Sequence, residues 1–516
     1  MDTWDPKALR WQKEPYVGKQ LRLQHPDHLA AVAVLHGLEA APAERCRVLE
    51  LGCGDGWNLV PMAEALPNSE FVGIDLDADR LALGEKARAA LGLRNLTLQA
   101  ADIRELGTAW GRFDYVIAHG LYSVVGDSVR EVFFERVASL LGERGVAFVS
   151  ANVYPGWRTL EPGRDLARFH AHHTDAKDGE PLVKRLRTIT RFFAEHMPRE
   201  TPDTALVAEQ YRKLSGLSDY LIGFDQLGES QASYFEPLVR RAERAELEYV
   251  TDAAMLSGQF ARLAERLQRA IAELSADRID REQYADFCAL PTFRQLVFTR
   301  SGRGLRAPNP ESLRSLFFVG RFRATGGAEL PARGRTTFEF GTLTFELEEP
   351  AAKIALNELS SVFPHALGFE ELERRVRERL GDDAVRGLAA PLLDLVLAGP
   401  LTARARGITA AATVPERPRI SEASRLQLAT FQRATTALHT FASITSPFER
   451  AALSACDGRR TLPELASELV RQVKAGSLAT SDFPPGFEAD LERAVEERLK
   501  KTLADAARHL LLLPSV

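Results

Sequence analysis

Residues 48–58 read VLELGCGDGWN. An apolar run breaks into glycines at alternate positions, Gly52, Gly54 and Gly56, with Glu50 just before them and Asp55 among them. Such a pattern suits a buried strand that stops in a tight turn where the backbone approaches a ligand or a neighbouring strand closely. The following segments repeat the alternation. EFVGIDLD, NLTLQAADI, FDYVIAHG and GVAFVSAN read as strands, and NLVPMAEALP, ADRLALGEKARAAL and DSVREVFFERVASLL as helices between them. Strands alternating with helices predict an α/β, doubly wound, Rossmann-like parallel sheet, which binds ligands at the carboxyl ends of its strands.

The polar residues fall where that rule asks. Glu50 and the glycines close the first strand, Asp75 the second (19 residues after Gly56) and Asp102 the third. His119 and Tyr122 follow the fourth strand, and Asn152 and Tyr154 the fifth. One acid at one strand end means little, but five successive ends form a rim.

The spacing G-x-G-x-G differs from the dinucleotide fingerprint, and Trp57 stands where the third fingerprint glycine belongs. A phosphate loop needs G-K-[ST], which is absent, and Asp55 repels a pyrophosphate. The loop suits a ligand with a carboxylate, a cationic centre and a nucleoside. Amides at the next helix N-terminus can meet the carboxylate, and Glu50 or Asp55 the ammonium. Asp75 can accept from a ribose diol and Asp102 from an adenine amino group. S-adenosylmethionine has all these parts.

ELGCGDG, GIDLD and AADI resemble motifs I to III of class I methyltransferases. The resemblance implies a cofactor site at Glu50, Gly52, Cys53, Gly54, Gly56, Asp75, Leu76, Asp102, Ile103 and His119, with S-adenosylhomocysteine as product. HPDHLA, IAHGLYSVV, SANVYPGWR and DRIDREQYADFCALPTFRQLVFTR resemble methyltransferases with a methyltransferase regulatory domain. These include rickettsial enzymes that methylate lysines of an outer-membrane protein. The similarity covers residues 14–302 well and the rest loosely. It implies a protein substrate, a helical dimerisation region and C-terminal winged-helix character.

The predicted organisation follows. Residues 1–45 form an N-terminal cap. Residues 46–302 form the core, with helical insertions at about 155–232 and 253–292. Residues 303–415 form an α+β winged-helix-like middle domain, and 416–516 a helical, winged-helix-like C-terminal domain. ELEYVTD and FRQLVFTR supply the sixth and seventh strands of the core. In FARLAERLQRAIAEL, Phe260, Leu263, Leu267, Ile271 and Leu274 share one helical face, suited to a lid or to a homodimer contact. Near the C-terminus a helix, a turn at Asp457-Gly458, a helix capped by Thr461 and a long amphipathic helix from Leu491 are expected.

Methyl transfer is an in-line displacement, so the acceptor must be aligned and desolvated. The candidate catalytic residues are His119, Tyr122, Asn152, Tyr154 and Trp157. The aromatic residues of YPGW can surround a lysine by cation–π contact or simply pack the insertion onto the sheet. His119 can act as a base or bond to backbone. Tyr16 and His25 are candidate substrate residues, while HPDHL also reads as a helix start with Pro26 at its first position. His170 and His173 share a helical face that excludes His172, so no metal site is expected.

Composition bounds the partners. The net charge of −5 gives no basic field for nucleic acid, and Glu370, Glu371 and Glu373 mix with arginines on a middle-domain helix. No apolar stretch is long enough for membrane insertion, and MDTWDPKALR lacks the apolar segment of a signal peptide. Four scattered cysteines suggest neither a zinc site nor a disulfide framework, so a cytoplasmic location is expected. The leading expectation is a methyltransferase acting on protein lysine. A small-molecule or natural-product methyltransferase and a non-catalytic cofactor-binding scaffold are the alternatives.

Overall fold

A computed structural model describes residues 18, 20–173, 182–222, 230–254, 256–325, 334–481 and 483–514. Tyr16 lies outside them. The central sheet contains β1 (Arg47–Leu51), β2 (Glu70–Asp75), β3 (Leu96–Ala100), β4 (Phe113–Ala118), β5 (Leu141–Tyr154), β6 (Ser233–Tyr234), β7 (Leu247–Asp252) and β8 (Phe293–Arg300). Its order is β3-β2-β1-β4-β5-β8-β7, with β6 paired to the end of β5. β1 to β5 run parallel, and β8 is antiparallel between β5 and β7. β4 is apolar except for Asp114, and β1 except for Arg47 and Glu50 near its ends, because both faces are covered. The polar residues lie at the strand ends, and the parallel register brings those ends to one edge.

β5 begins earlier than its GVAFVSAN core, directly after the helix Asp127–Leu140. Between β5 and β6 stand the helices Glu161–His173, Leu182–His196 and Pro202–Ser215 and the short turn Asp219–Leu221. Between β7 and β8 stand Glu265–Leu274 and Arg278–Ala289. In Glu265–Leu274 only Ile271 is buried, and Leu274 is 67% exposed, so the described residues leave this apolar face uncovered.

The second insertion is pinned to the sheet by Arg294. Its buried guanidinium meets Asp252 at 2.5 Å, Glu282 at 2.6 Å and Asp286 at 3.4 Å, and lies 3.9 Å from the Phe235 ring centroid. Glu282 also accepts from the amides of Gln259 and Phe260, which ties the preceding loop to the same point.

The helix Pro26–Leu35 is apolar nearly all round, as a helix buried on both sides must be. Leu29, Val32 and Ala33 pack into one core of the sheet domain. Ala31 and Leu35 pack into the core of residues 313–403. Asp27 and Arg404 form a buried ion pair at 2.6 Å across that junction. This N-terminal helix therefore bolts two cores together, beyond the cap expected from the sequence.

The C-terminal region has its own core, including Phe448, Leu465, Leu469, Val495, Leu499 and Leu503. Its helices are Glu422–Thr430, Pro447–Ser454, Leu462–Lys474 and Leu491–Arg508, with a hairpin of Arg433–Thr435 and Phe441–Ser443. Thr461 and Glu464 form a capping box. Among the described residues no helix is long and apolar enough to cross a membrane.

Candidate active site

The carboxyl edge of the sheet opens into a cavity of about 620 Å³. Its floor is the glycine loop. Gly52 and Gly54 have φ of +70° and +59°, a region L side chains rarely adopt. A Cβ on Gly52 would also lie 2.8 Å from Leu121 Cδ1. The Gly54 amide donates to Asp75 Oδ2 at 2.8 Å, and the Cys53 amide to the Ile74 carbonyl at 2.9 Å. Asp75 Oδ1 accepts from the Asp77 amide at 2.9 Å. Both carboxylate oxygens are thereby oriented and keep lone pairs for further donors.

Glu50 stands beside this loop, 5% exposed. Its Oε1 accepts from Asn58 Nδ2 at 3.0 Å, while Oε2 has no hydrogen-bond partner among the described residues. Burial pushes its carboxyl up to about 8; the Asn58 hydrogen bond opposes the rise, and Asp55 and Asp75 add to it. Gln24 lines the same cavity and accepts from Asn58 Nδ2 at 2.9 Å, and its own Nε2 has no partner among the described residues. A buried acceptor and a buried donor thus stand side by side. An α-amino acid end, with ammonium and carboxylate, satisfies both, so the residues present fit the methyl donor.

Asp55, considered beside Glu50 for the ammonium, is not among the residues lining the cavity. It accepts from the Gly18 amide at 2.7 Å and the Trp57 amide at 3.1 Å, and so holds the N-terminal segment. Burial raises its carboxyl to about 6.

The other end of the cavity is formed by His119, Ser123, Ser150, Asn152, Trp157 and Phe293, with Leu160, Leu214, Leu217 and Leu221 as an apolar wall. Asn152 and Phe293 are register partners across β5 and β8. The His119 ring meets Phe293 edge-on at 5.9 Å. Ser150 Oγ accepts from the Gly120 amide and Ser123 Oγ from the Asn152 amide, both at 2.8 Å, so hydroxyls of neighbouring loops lock this rim. Asn152 Nδ2 donates to Ser230 at 2.7 Å.

Glu50, Gly52, Cys53, Gly54, Asp75, His119, Asn152 and Trp157 therefore come together around one cavity. Other candidates stand elsewhere. Tyr122 is buried among Phe133 and Phe134 and accepts from Arg241 at 3.0 Å. Tyr154 donates to Glu161 at 2.9 Å beneath the Arg158 guanidinium. His25 caps the helix Pro26–Leu35, accepting from the Asp27 amide at 3.2 Å. Asp102 is paired with Arg104 at 2.6 Å, which holds its carboxyl below the usual range. Ile103 is buried in a core, Leu76 is 73% exposed, and Gly56 supports the loop against Leu98. Sequence reasoning passed over Gln24, Asn58, Ser123, Ser150 and Phe293. Only Phe293 carried a signal, as the first residue of an antiparallel strand facing the Asn152 end.

Comparison with known proteins places this geometry. Residues 48–145 match a family model described as a methyltransferase domain, 219–300 a predicted methyltransferase regulatory domain, and 416–511 the C-terminal winged helix domain of PKMT. An uncharacterised protein of Rickettsia prowazekii is 29% identical over 286 residues, 55% of this chain and 51% of that protein. A second from the same organism is 28% identical over 238 residues, 46% of this chain and 94% of that protein. The chain thus spans about half the length of the first of these relatives. The solved structure of PKMT2 from Rickettsia typhi in complex with AdoHcy superposes with a TM-score of 0.87 at 23% identity, covering 97% of this chain and 100% of that one. At that identity the likeness establishes the fold, along the whole length compared. Residues 48–145 thus match a methyltransferase domain on a Rossmann-like sheet, followed by segments that match a predicted methyltransferase regulatory domain and a C-terminal winged helix.

Proposed function

Taking the chain as a class I methyltransferase with a regulatory domain, we propose that it transfers a methyl group from S-adenosylmethionine to the side-chain amine of a protein lysine. The carrying observation is the Glu50 carboxylate, buried at the glycine loop with Oε2 unpaired among the described residues, at one end of a cavity whose other end is walled by Trp157, Leu160, Leu214 and Phe293. The bound donor supplies an electrophilic sulfonium methyl. Glu50 holds the ammonium and Asp75 the ribose diol, which fixes the methyl in space. The apolar wall takes a four-carbon stem and strips water from the amine, favouring the neutral form that can attack. His119 and the hydroxyls of Ser123 and Ser150 are the polar groups at hand to orient that amine.

The same reading includes a cytoplasmic enzyme, no nucleic-acid partner and a homodimer through the helical insertions. Phe169 and Phe192, 63% and 51% exposed on two insertion helices, support the dimer, as does the uncovered face of Glu265–Leu274. Light scattering of the full chain tests it; a monomer at all concentrations defeats the dimer.

The activity is tested by incubating the chain with methyl-labelled donor and bacterial lysate, followed by mass spectrometry. Methyl-lysine in a protein is the expected product. Label confined to small metabolites turns the reading to a small-molecule acceptor, and donor binding without label in any product turns it to a scaffold.

A further inference from the structure

Behind the glycine loop, the C-terminal domain reaches into the cofactor site. The tip of its hairpin is closed by the Thr436 amide on the Thr440 carbonyl at 2.8 Å and the His439 amide on the Thr436 carbonyl at 2.9 Å. The Ala437 amide ties it to the Leu510 carbonyl at 2.9 Å. His439 stands on this tip with φ of +54°, a conformation uncommon outside glycine, and its ring is buried. Its Nε2 lies 2.9 Å from Asn58 Oδ1.

Hydrogen-bond accounting settles who donates. Both Asn58 Nδ2 hydrogens are spent, one on Glu50 Oε1 and one on Gln24 Oε1. With the amide in this orientation Asn58 Oδ1 accepts, and the His439 tautomer that matches it carries its proton on Nε2. Burial, with the nearby Arg404 charge, lowers the imidazole to about 3, so it is neutral at physiological pH. It brings direction to the site and no charge.

The contact is one of several between the two domains. Glu64 accepts from the amides of Glu422 and Ala423 at 2.6 and 3.0 Å, Arg433 donates to the Gly18 carbonyl at 2.5 Å, and Phe431 meets Trp57 edge-on at 5.6 Å. The hairpin is therefore seated at a defined place on the reverse of the loop.

We propose that His439 is a positioning residue, through which the C-terminal winged helix orients Asn58 and thereby sets Glu50 and Gln24 for the aminocarboxylate end of the methyl donor. Removing the His439 proton donor frees the Asn58 amide to turn, and the pair loses its geometry while the nucleoside end of the site is untouched. Linkage then makes the coupling reciprocal: a ligand carrying the aminocarboxylate tightens the seat of the C-terminal domain. The proposal rests on the reading that the cavity binds S-adenosylmethionine.

The test compares S-adenosylhomocysteine with 5′-methylthioadenosine, which keeps the nucleoside and thioether and lacks the aminocarboxylate. Calorimetry is run on the full chain. His439→Ala and His439→Leu should each weaken S-adenosylhomocysteine binding by about tenfold and leave 5′-methylthioadenosine within about twofold. His439→Gln, whose amide can donate to Asn58, should recover most of the loss. The leucine variant fills the space and carries the comparison if the alanine variant does not fold. Equal loss for both ligands marks a general structural role and overturns the proposal, as does unchanged binding of both. Failure of the unsubstituted chain to bind S-adenosylhomocysteine overturns the methyl-donor reading itself, which separates the two.

Discussion

At the end of the cavity proposed for the methyl donor the polar side chains are held by a chain of hydrogen bonds, some local and some from distant segments. Asn58 holds Glu50 and Gln24, His439 holds Asn58, and the amides of Gly54 and Asp77 hold Asp75. At the other end the wall is apolar, with Trp157, Leu160, Leu214, Leu217 and Phe293, and the polar groups Ser123, Ser150 and Asn152 are held by backbone amides and by Ser230. On the proposed function the donor end meets one constant ligand, and a pre-set hydrogen-bond array suits a ligand that never changes. The acceptor end rests on the first insertion, which carries Trp157, Leu160, Leu214 and Leu217, and on Phe293, next to the Arg294 cluster that docks the second insertion to the sheet.

The largest effect should come from breaking that docking. Arg294→Ala leaves Asp252, Glu282 and Asp286 buried together without their cation, and should lower stability by about 3–5 kcal/mol. Denaturant unfolding measures this, and a loss under about 1 kcal/mol would show that the second insertion docks without the cluster. Asp75→Ala should weaken S-adenosylhomocysteine binding by about 1–3 kcal/mol, because the ribose hydroxyls lose a charged acceptor. Unchanged affinity would remove Asp75 from the donor end.

The pH dependence sharpens the donor end further. Glu50, raised to about 8 by burial, is mostly protonated in the free chain at neutral pH. An ammonium requires its carboxylate, so binding releases a proton. Affinity should therefore rise with pH by up to about tenfold per unit below pH 8 and flatten above it. Glu50→Gln should abolish the slope, and titrations in buffers of different ionisation enthalpy count the proton directly. A flat profile in the unsubstituted chain would mean that Glu50 is not the group that meets the ammonium. The smallest effect on the donor end is expected from Phe293→Ala. Affinity for S-adenosylhomocysteine should stay within about twofold while methylation of the acceptor falls by about tenfold. Equal losses in both measurements would erase the distinction between the two ends.

The loop VLELGCGDGWN and the polar strand ends were legible because a parallel sheet carries its own address: strand ends meet at one edge, and alternate glycines mark backbone positions with positive φ. The same logic overreached at Tyr122 and Tyr154. A strand end shows that a residue is near the edge, yet the side chain's direction is chosen by neighbours such as Arg241 and Glu161. Asp102 shows a local version, for Arg104, two residues on, takes its carboxylate.

By itself the sequence determined the alternation of strands and helices that makes a doubly wound sheet, and the acid at the end of each of the first three strands. Only the tertiary structure decided which of those acids face the cavity. It also brought Gln24 and His439 to Asn58, from positions 34 and 381 residues away. Local sequence sets backbone geometry through sterics and periodicity over a few residues. A buried hydrogen bond between distant segments is set by the packing of whole domains, which no short stretch of sequence records.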